Sequence, residues 1–135
     1  VTPKYVYIGS PMTKQPIEGP RMAAREADAL VAAGHYVYMP QLDRLWAYMT
    51  GEKPYETWLA MDFAWIRKCD AMVRCPGDSP GADREAAYMR SLGRPVYSSA
   101  AEFLAAEEAM RQCLHQRWAV NLDGETQCHD CGKVF

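Results

Sequence analysis

The sequence predicts an α/β fold, a three-layer sandwich of the flavodoxin or Rossmann kind on a mainly parallel sheet of about four to five strands. Two observations predict it. Short apolar runs alternate with helix-periodic segments along the whole body of the chain, the pattern of parallel strands joined by right-handed crossovers. Two connections, Gly9 to Gly19 and Cys75 to Gly81, are dense in Gly, Pro and hydroxyl residues. Such loops suit the carboxyl edge of a parallel sheet, where ligands bind.

Each element has its own signal. Tyr5-Val6-Tyr7-Ile8 reads as a short buried strand, broken by Gly9-Ser10-Pro11. Pro20 suits a first helical turn, and Met22, Ala23, Ala27, Leu30 and Val31 recur at helical spacing up to Gly34. Tyr36 to Met39 is a second strand, closed by Pro40. Residues 41–53, with Leu45, Trp46 and Tyr48, read as a loop. Pro54 opens a second helix to about Lys68, with Trp58, Met61, Trp65 and Ile66 on its apolar face. Asp70 to Val73 is a third strand, Ala82 to Leu92 a third helix, and Pro95-Val96-Tyr97 a fourth strand. Ser98 or Ser99 caps a fourth helix, with Glu102 placed for a capping box. The tail from Trp118 lacks a helical pattern, and Asp123-Gly124 reads as a hairpin turn. The expected division is an α/β domain over 1–116 and a tail over 117–135.

Composition narrows the function. The chain has 135 residues, 49% of them apolar, and a formal net charge of −2. That is one ordinary domain with enough apolar content for a core. It carries no basic field to attract nucleic acid. No apolar stretch is long enough to span a bilayer. Val1-Thr2-Pro3-Lys4 runs into a strand without the pattern of a signal peptide. The five cysteines are an odd count, and Cys69, Cys75 and Cys113 are scattered, unlike a secreted disulfide framework. A small-molecule ligand and a reducing cytoplasm are therefore expected, with no nucleic-acid or membrane partner.

Ser79-Pro80-Gly81-Ala82 leads directly into the third helix. A helix start offers free N–H groups and a positive dipole end. Gly81 lets a ligand approach the backbone, and Ser79 adds a hydroxyl. Glu85 lies about one turn in, where the dipole favours its ionised form. A carboxylate there, beside a sugar, is a candidate nucleophile. A plain capped helix explains Ser79 equally well. Gly9 and Ser10, in the loop after the first strand, are candidate ligand contacts. That loop lacks both the Walker ending and the three-glycine dinucleotide pattern. Asp62 has Trp58 and Trp65 as helical neighbours. Desolvation would raise its pKa and suit it to general-acid work; the alternative is a surface carboxylate.

Cys128-His129-Asp130-Cys131-Gly132 has the form of a single zinc knuckle. Cys113 and His115 are the nearby residues that would complete a four-ligand site. The expectation is structural zinc, with a free dithiol or a disulfide as alternatives. No cofactor is expected for catalysis.

Three segments occur together in a known order: Tyr7-Ile8-Gly9-Ser10-Pro11-Met12-Thr13, Asp62 through Asp70, and Ser79-Pro80-Gly81-Ala82-Asp83-Arg84-Glu85. In these, over residues 5–97, the chain resembles the nucleoside 2-deoxyribosyltransferase superfamily, and most of all its 2′-deoxynucleoside 5′-monophosphate N-hydrolase branch. The resemblance implies Glu85 as nucleophile on the anomeric carbon and Asp62 as the acid near the leaving base. It further implies Ser79 and Gly81 at the 5′-phosphate, Gly9 and Ser10 around sugar and base, and a homodimer. The chain departs from that branch at Met12, where the branch has an Arg, and at Val6, which aligns with a Tyr. A non-catalytic nucleotide-binding module and a ribonucleotide N-glycosidase are the competing readings.

Overall fold

The computed structural model describes residues 2–112, 118–120, 124 and 126–128. The chain forms two compact units, Val1–Phe103 and Leu104–Phe135. The first holds β1 (Tyr5–Gly9), α1 (Glu18–Ala32), β2 (Tyr36–Tyr38), α2 (Asp43–Thr50), α3 (Tyr55–Ile66), β3 (Ala71–Arg74), α4 (Pro80–Ser91), β4 (Val96–Tyr97) and the start of α5 (Ala100–Gln112). The four strands form one sheet in the order β2-β1-β3-β4, and every pairing is parallel. This is the flavodoxin-type order, in which the chain reverses direction across the sheet between β1 and β3. The predicted α/β sandwich is what the chain adopts.

Alternation along β1 and β3 supplies two apolar faces. Tyr7 and Met72 pack with Ile66, Cys69, Ala86 and Met89, so α3 and α4 cover one face. Val6, Ile8 and Val73 point to the other face and are fully buried, on the side of the buried α1 stripe Ala23, Ala27 and Leu30. Phe103 closes that side, edge-on to both His35 and Tyr97. Asp70 accepts a hydrogen bond from the Tyr5 N–H at 2.9 Å, tying the entry of β3 to β1 in the turn role its position suggests. Ser99 accepts from the Glu102 N–H at 3.1 Å. Glu102 in turn accepts from the Ser98 N–H at 3.0 Å, a capping box displaced by one residue.

The expected loop over 41–53 is corrected. Pro40–Leu42 makes a 3-10 turn and Asp43–Thr50 is a helix, stopped where Gly51 takes a φ of +97°. No residue of α2 is buried. Leu45, Trp46, Tyr48 and Met49 all stand exposed, Tyr48 at 88%. The helix is only eight residues long, too short for its helical spacing to stand out from a loop rich in bulky residues.

In the second unit, β5 (Trp118–Val120) and β6 (Thr126–Cys128) pair antiparallel. Gly124 lies between them with a φ of +83°, as a hairpin turn there requires; Asp123 lies outside the described residues. Cys113, His115 and Cys131 also lie outside them, and Cys128 is described only as part of β6. No three His, Cys, Asp or Glu side chains converge on a metal position among the described residues. No described helix is long and apolar enough to cross a membrane.

Candidate active site

A cavity of about 700 Å³ opens at the carboxyl edge of the sheet, walled by the loops after β1, β2 and β3 and by α2, α3 and α4. Gly9, Ser10, Asp62, Ser79, Gly81 and Glu85 all line it. The sequence places these six residues on three separate segments. Parallel strands bring them together because every strand ends at the same edge.

Glu85 sits deepest. Its carboxylate lies against Gly9: a Cβ there would stand 3.5 Å from Glu85 Oε2 and 2.5 Å from the Met72 methyl. A side chain at this position would have to displace the end of Met72, while Glu85 would stay at ordinary contact distance. Burial, and then the charge of Asp62, push Glu85 up to about 8 from an ordinary 4.5. Two groups act the other way, the Tyr7 hydroxyl and the Arg74 guanidinium. The Tyr7 hydroxyl is buried without a partner at full hydrogen-bond geometry, so its contact with Glu85 is a long one. Burial and the neighbouring carboxylates raise its own pKa steeply, which keeps it a neutral phenol.

Asp62 comes from the middle of α3, a helix apolar on nearly every side. Burial, followed by the charge of Asp43, raises it to about 7. Its Oδ1 is buried with no partner. Asp43, at the start of α2, is itself raised by burial. Desolvation thus dominates at all three carboxyls, and the cavity holds protons at neutral pH that free carboxylates would have lost.

Ser79 is the N-cap of α4: its Oγ accepts from the Ala82 N–H at 3.2 Å. The plain capping role is therefore real, and it holds the loop that a ligand would meet. Gly81 has open space where a Cβ would be, so neither packing nor backbone strain requires a glycine there. Arg74, 15% exposed, fixes the same loop from behind. Its guanidinium donates to the Gly77 carbonyl and to Asp83 at 2.9 Å each, to the Ser79 carbonyl at 3.4 Å, and to the Cys75 carbonyl. Asp83 is the ion-pair partner of Arg74. Across the mouth, Lys14 pairs with Asp78 and joins the loops after β1 and β3. Ser10 is buried, and its Oγ lies 2.9 Å from Gln41 Nε2.

Sequence reasoning misses Tyr7, Gln41, Asp43 and Arg74 as parts of this site. Tyr7 has a signal, since a strand tyrosine is expected nearby; the sheet alternation selects it, because Val6 faces the opposite side.

Residues 4–98 match the family model described as Domain of unknown function (DUF4406). The chain belongs to the DUF4406 family. No curated protein matches it. By structure, this DUF4406 domain is similar to a 2-desoxiribosyltransferase from Leishmania mexicana, with a TM-score of 0.53 and 19% identity over 70% of this chain and 62% of that one. It thus spans less than two thirds of the Leishmania protein. It is similar also to a 2-deoxyribosyltransferase from Bacillus psychrosaccharolyticus, with a TM-score of 0.55 and 21% identity over 68% and 69% of the two chains. A third likeness is to the CMP N-glycosidase BcmB from Clostridium botulinum, with a TM-score of 0.51 and 16% identity over 78% and 98%. These likenesses establish that the DUF4406 domain shares the fold of nucleoside deoxyribosyltransferases and of a CMP N-glycosidase.

Proposed function

We propose that this protein cleaves or exchanges the N-glycosidic bond of a 2′-deoxynucleoside or its 5′-monophosphate, with Glu85 as nucleophile and Asp62 as general acid. The observation that carries the reading is the pairing of these two carboxyls in one cavity, each pushed up to about 7 to 8 by burial and the pair coupled by charge. In the first step the C1′–N bond breaks as Glu85 forms a C1′–O bond, and the Asp62 proton goes to the leaving base. In the second step water, or another base, attacks C1′ and releases Glu85, while Asp62 takes up the proton. The oxocarbenium-like state between them is stabilised by the adjacent carboxylate. The 5′ end lies at Ser79 and Gly81, beside the Lys14–Asp78 ion pair in the same wall.

Incubation with a panel of deoxynucleosides and deoxynucleotides, with free base followed by chromatography, tests the reading; release from no member sinks it. Ribonucleotides belong in the panel, because one structural neighbour is named for acting on CMP. Gly81→Ala is expected to leave thermal stability unchanged, because a Cβ meets nothing there. It should raise KM for 5′-monophosphates about tenfold, the cost of a blocked backbone approach. An unchanged KM would remove the phosphate from this loop.

The working form is proposed to be a cytoplasmic homodimer. The support is the exposed apolar set of α2 and α3, including Leu45, Tyr48, Met49 and Trp65, residues of the kind that interfaces cover. Light scattering should report a dimer, and Leu45→Asp with Tyr48→Asp a monomer. Structural zinc in the tail stays a proposal that rests on the cysteine motif alone.

A further inference from the structure

We propose that Arg74 is a positioning residue for the 5′-phosphate: its guanidinium holds the turn after β3 in the shape that presents Ser79 and Gly81 to the cavity. This rests on the glycosidic reading above and adds to it the group that shapes the phosphate end. Arg74 is the last residue of β3. It stands behind the site, since Asp78, Ser79 and Gly81 line the cavity and Arg74 does not. The turn has little else to hold it. The Cys75 N–H donates to the Gly9 carbonyl at 2.8 Å, and the Ser79 carbonyl accepts from the Asp83 N–H at 3.0 Å. Between them, residues 76–78 make no backbone–backbone hydrogen bond among the described residues. Pro76 has no N–H to offer, and Gly77 takes a φ of +120°, which neither a helix nor a strand continues.

The guanidinium fills that gap. Its Nη1 donates to the Cys75 carbonyl, and its Nη2 to the carbonyls of Gly77 at 2.9 Å and Ser79 at 3.4 Å. Nε and Nη2 donate to Asp83 Oδ1 at 3.2 Å and 2.9 Å, so the first turn of α4 is tied to the same group. Carbonyls at alternate positions thus meet one planar cation. A rigid fork of five donors can serve them together, and the point charge of a lysine cannot. The Lys14–Asp78 pair also reaches this turn, but both side chains are largely exposed, and such pairs contribute little. A turn held from behind meets the phosphate already ordered. Without the fork, residues 76–78 must be ordered as the ligand binds, which weakens binding by about ten- to a hundredfold. The loss falls on the 5′-phosphate, because in this reading the sugar and base meet Glu85 and Asp62 instead.

The experiment measures KM for base release from deoxyadenosine and dAMP, and from deoxycytidine and dCMP, with wild-type protein and with Arg74→Lys. Lysine keeps the positive charge that acts on Glu85 and removes the fork. The ratio of KM for the monophosphate to KM for its nucleoside is expected to rise about tenfold or more in at least one pair. An unchanged ratio would mean that charge alone suffices. KM values raised equally for both members would mean plain support of the fold. Either result overturns the proposal, as does a wild-type protein that does not distinguish nucleoside from monophosphate. Should Arg74→Lys not fold, Asp83→Ala frees the fork from one side at an exposed position; the same ratio should rise about threefold or more, and an unchanged ratio overturns the proposal. If no compound releases base, the glycosidic reading fails, and equilibrium binding of the same four compounds decides Arg74 separately. Monophosphate binding weakened by Arg74→Lys relative to the nucleoside supports it, and equal or absent binding overturns it.

Discussion

Glu85→Gln is expected to lower base release by a thousandfold or more while leaving the fold at least as stable. The scale is that of removing a nucleophile from a concerted set. Gln keeps the volume against Gly9 and Met72 but cannot form the bond to C1′. The stability half follows from the raised pKa. Glu85 ionises near its ordinary 4.5 in the unfolded chain and near 8 in the fold. The unfolded state therefore sheds its proton first as pH rises, and stability falls between about 4.5 and 8 before levelling. Gln has no proton to shed, so the variant should lose this part of the pH dependence and match or exceed the wild-type melting temperature at pH 8. Thermal melts across that range beside turnover assays check both halves. A variant that loses activity and stability together would make Glu85 a structural residue.

The second large effect is on pH dependence. The proposed active form has Glu85 ionised and Asp62 protonated; with Asp62 near 7 and Glu85 near 8 it is the minor of the two ways to place one proton on the pair, and it is populated most where the pair holds one proton. The pair titrates with apparent values near 7 and 8. Below about 7 the pair gains a second proton and the nucleophile is lost. Above about 8 it loses the last one and the acid is lost. The kcat/KM profile should therefore be a narrow bell with its maximum between those values. Asp62→Asn should lower the maximum by about a hundred- to ten-thousandfold, the range for a general acid. It should abolish the alkaline limb. It should also shift the acid limb to lower pH, because the Asp62 charge no longer raises Glu85. An Asp62→Asn profile with its alkaline limb intact would assign that limb, and the proton, to another group.

Much of this site can be read in the sequence, for a physical reason. Gly9, Ser10, Ser79, Gly81 and Glu85 lie in loops or helix starts that directly follow strands, and a parallel sheet delivers all such positions to one edge. Asp62 is legible because a carboxylate among tryptophans on an apolar helix is an anomaly wherever it points. The residues that are not legible depend on partners far along the chain. Gln41 acquires meaning only from Ile8 and Ser10, over thirty residues earlier. Tyr7 is one of two tyrosines in β1 until the pairing with β3 shows which faces Glu85. Arg74 reads as the end of a strand until its guanidinium is seen to gather the carbonyls of the following turn. The helix α2 escapes sequence reading because it is only eight residues long and none of its residues joins the buried core.

The most direct test of the central claim is the anomeric outcome of methanolysis. With a 2′-deoxynucleoside 5′-monophosphate as substrate and methanol as acceptor, the methyl glycoside is identified by nuclear magnetic resonance. Attack by Glu85 followed by attack of methanol inverts C1′ twice, so the account predicts the β-methyl deoxyriboside, with no product from the Glu85→Gln variant. The α anomer would mean a single direct displacement, with Glu85 never bonded to the sugar, and would contradict it.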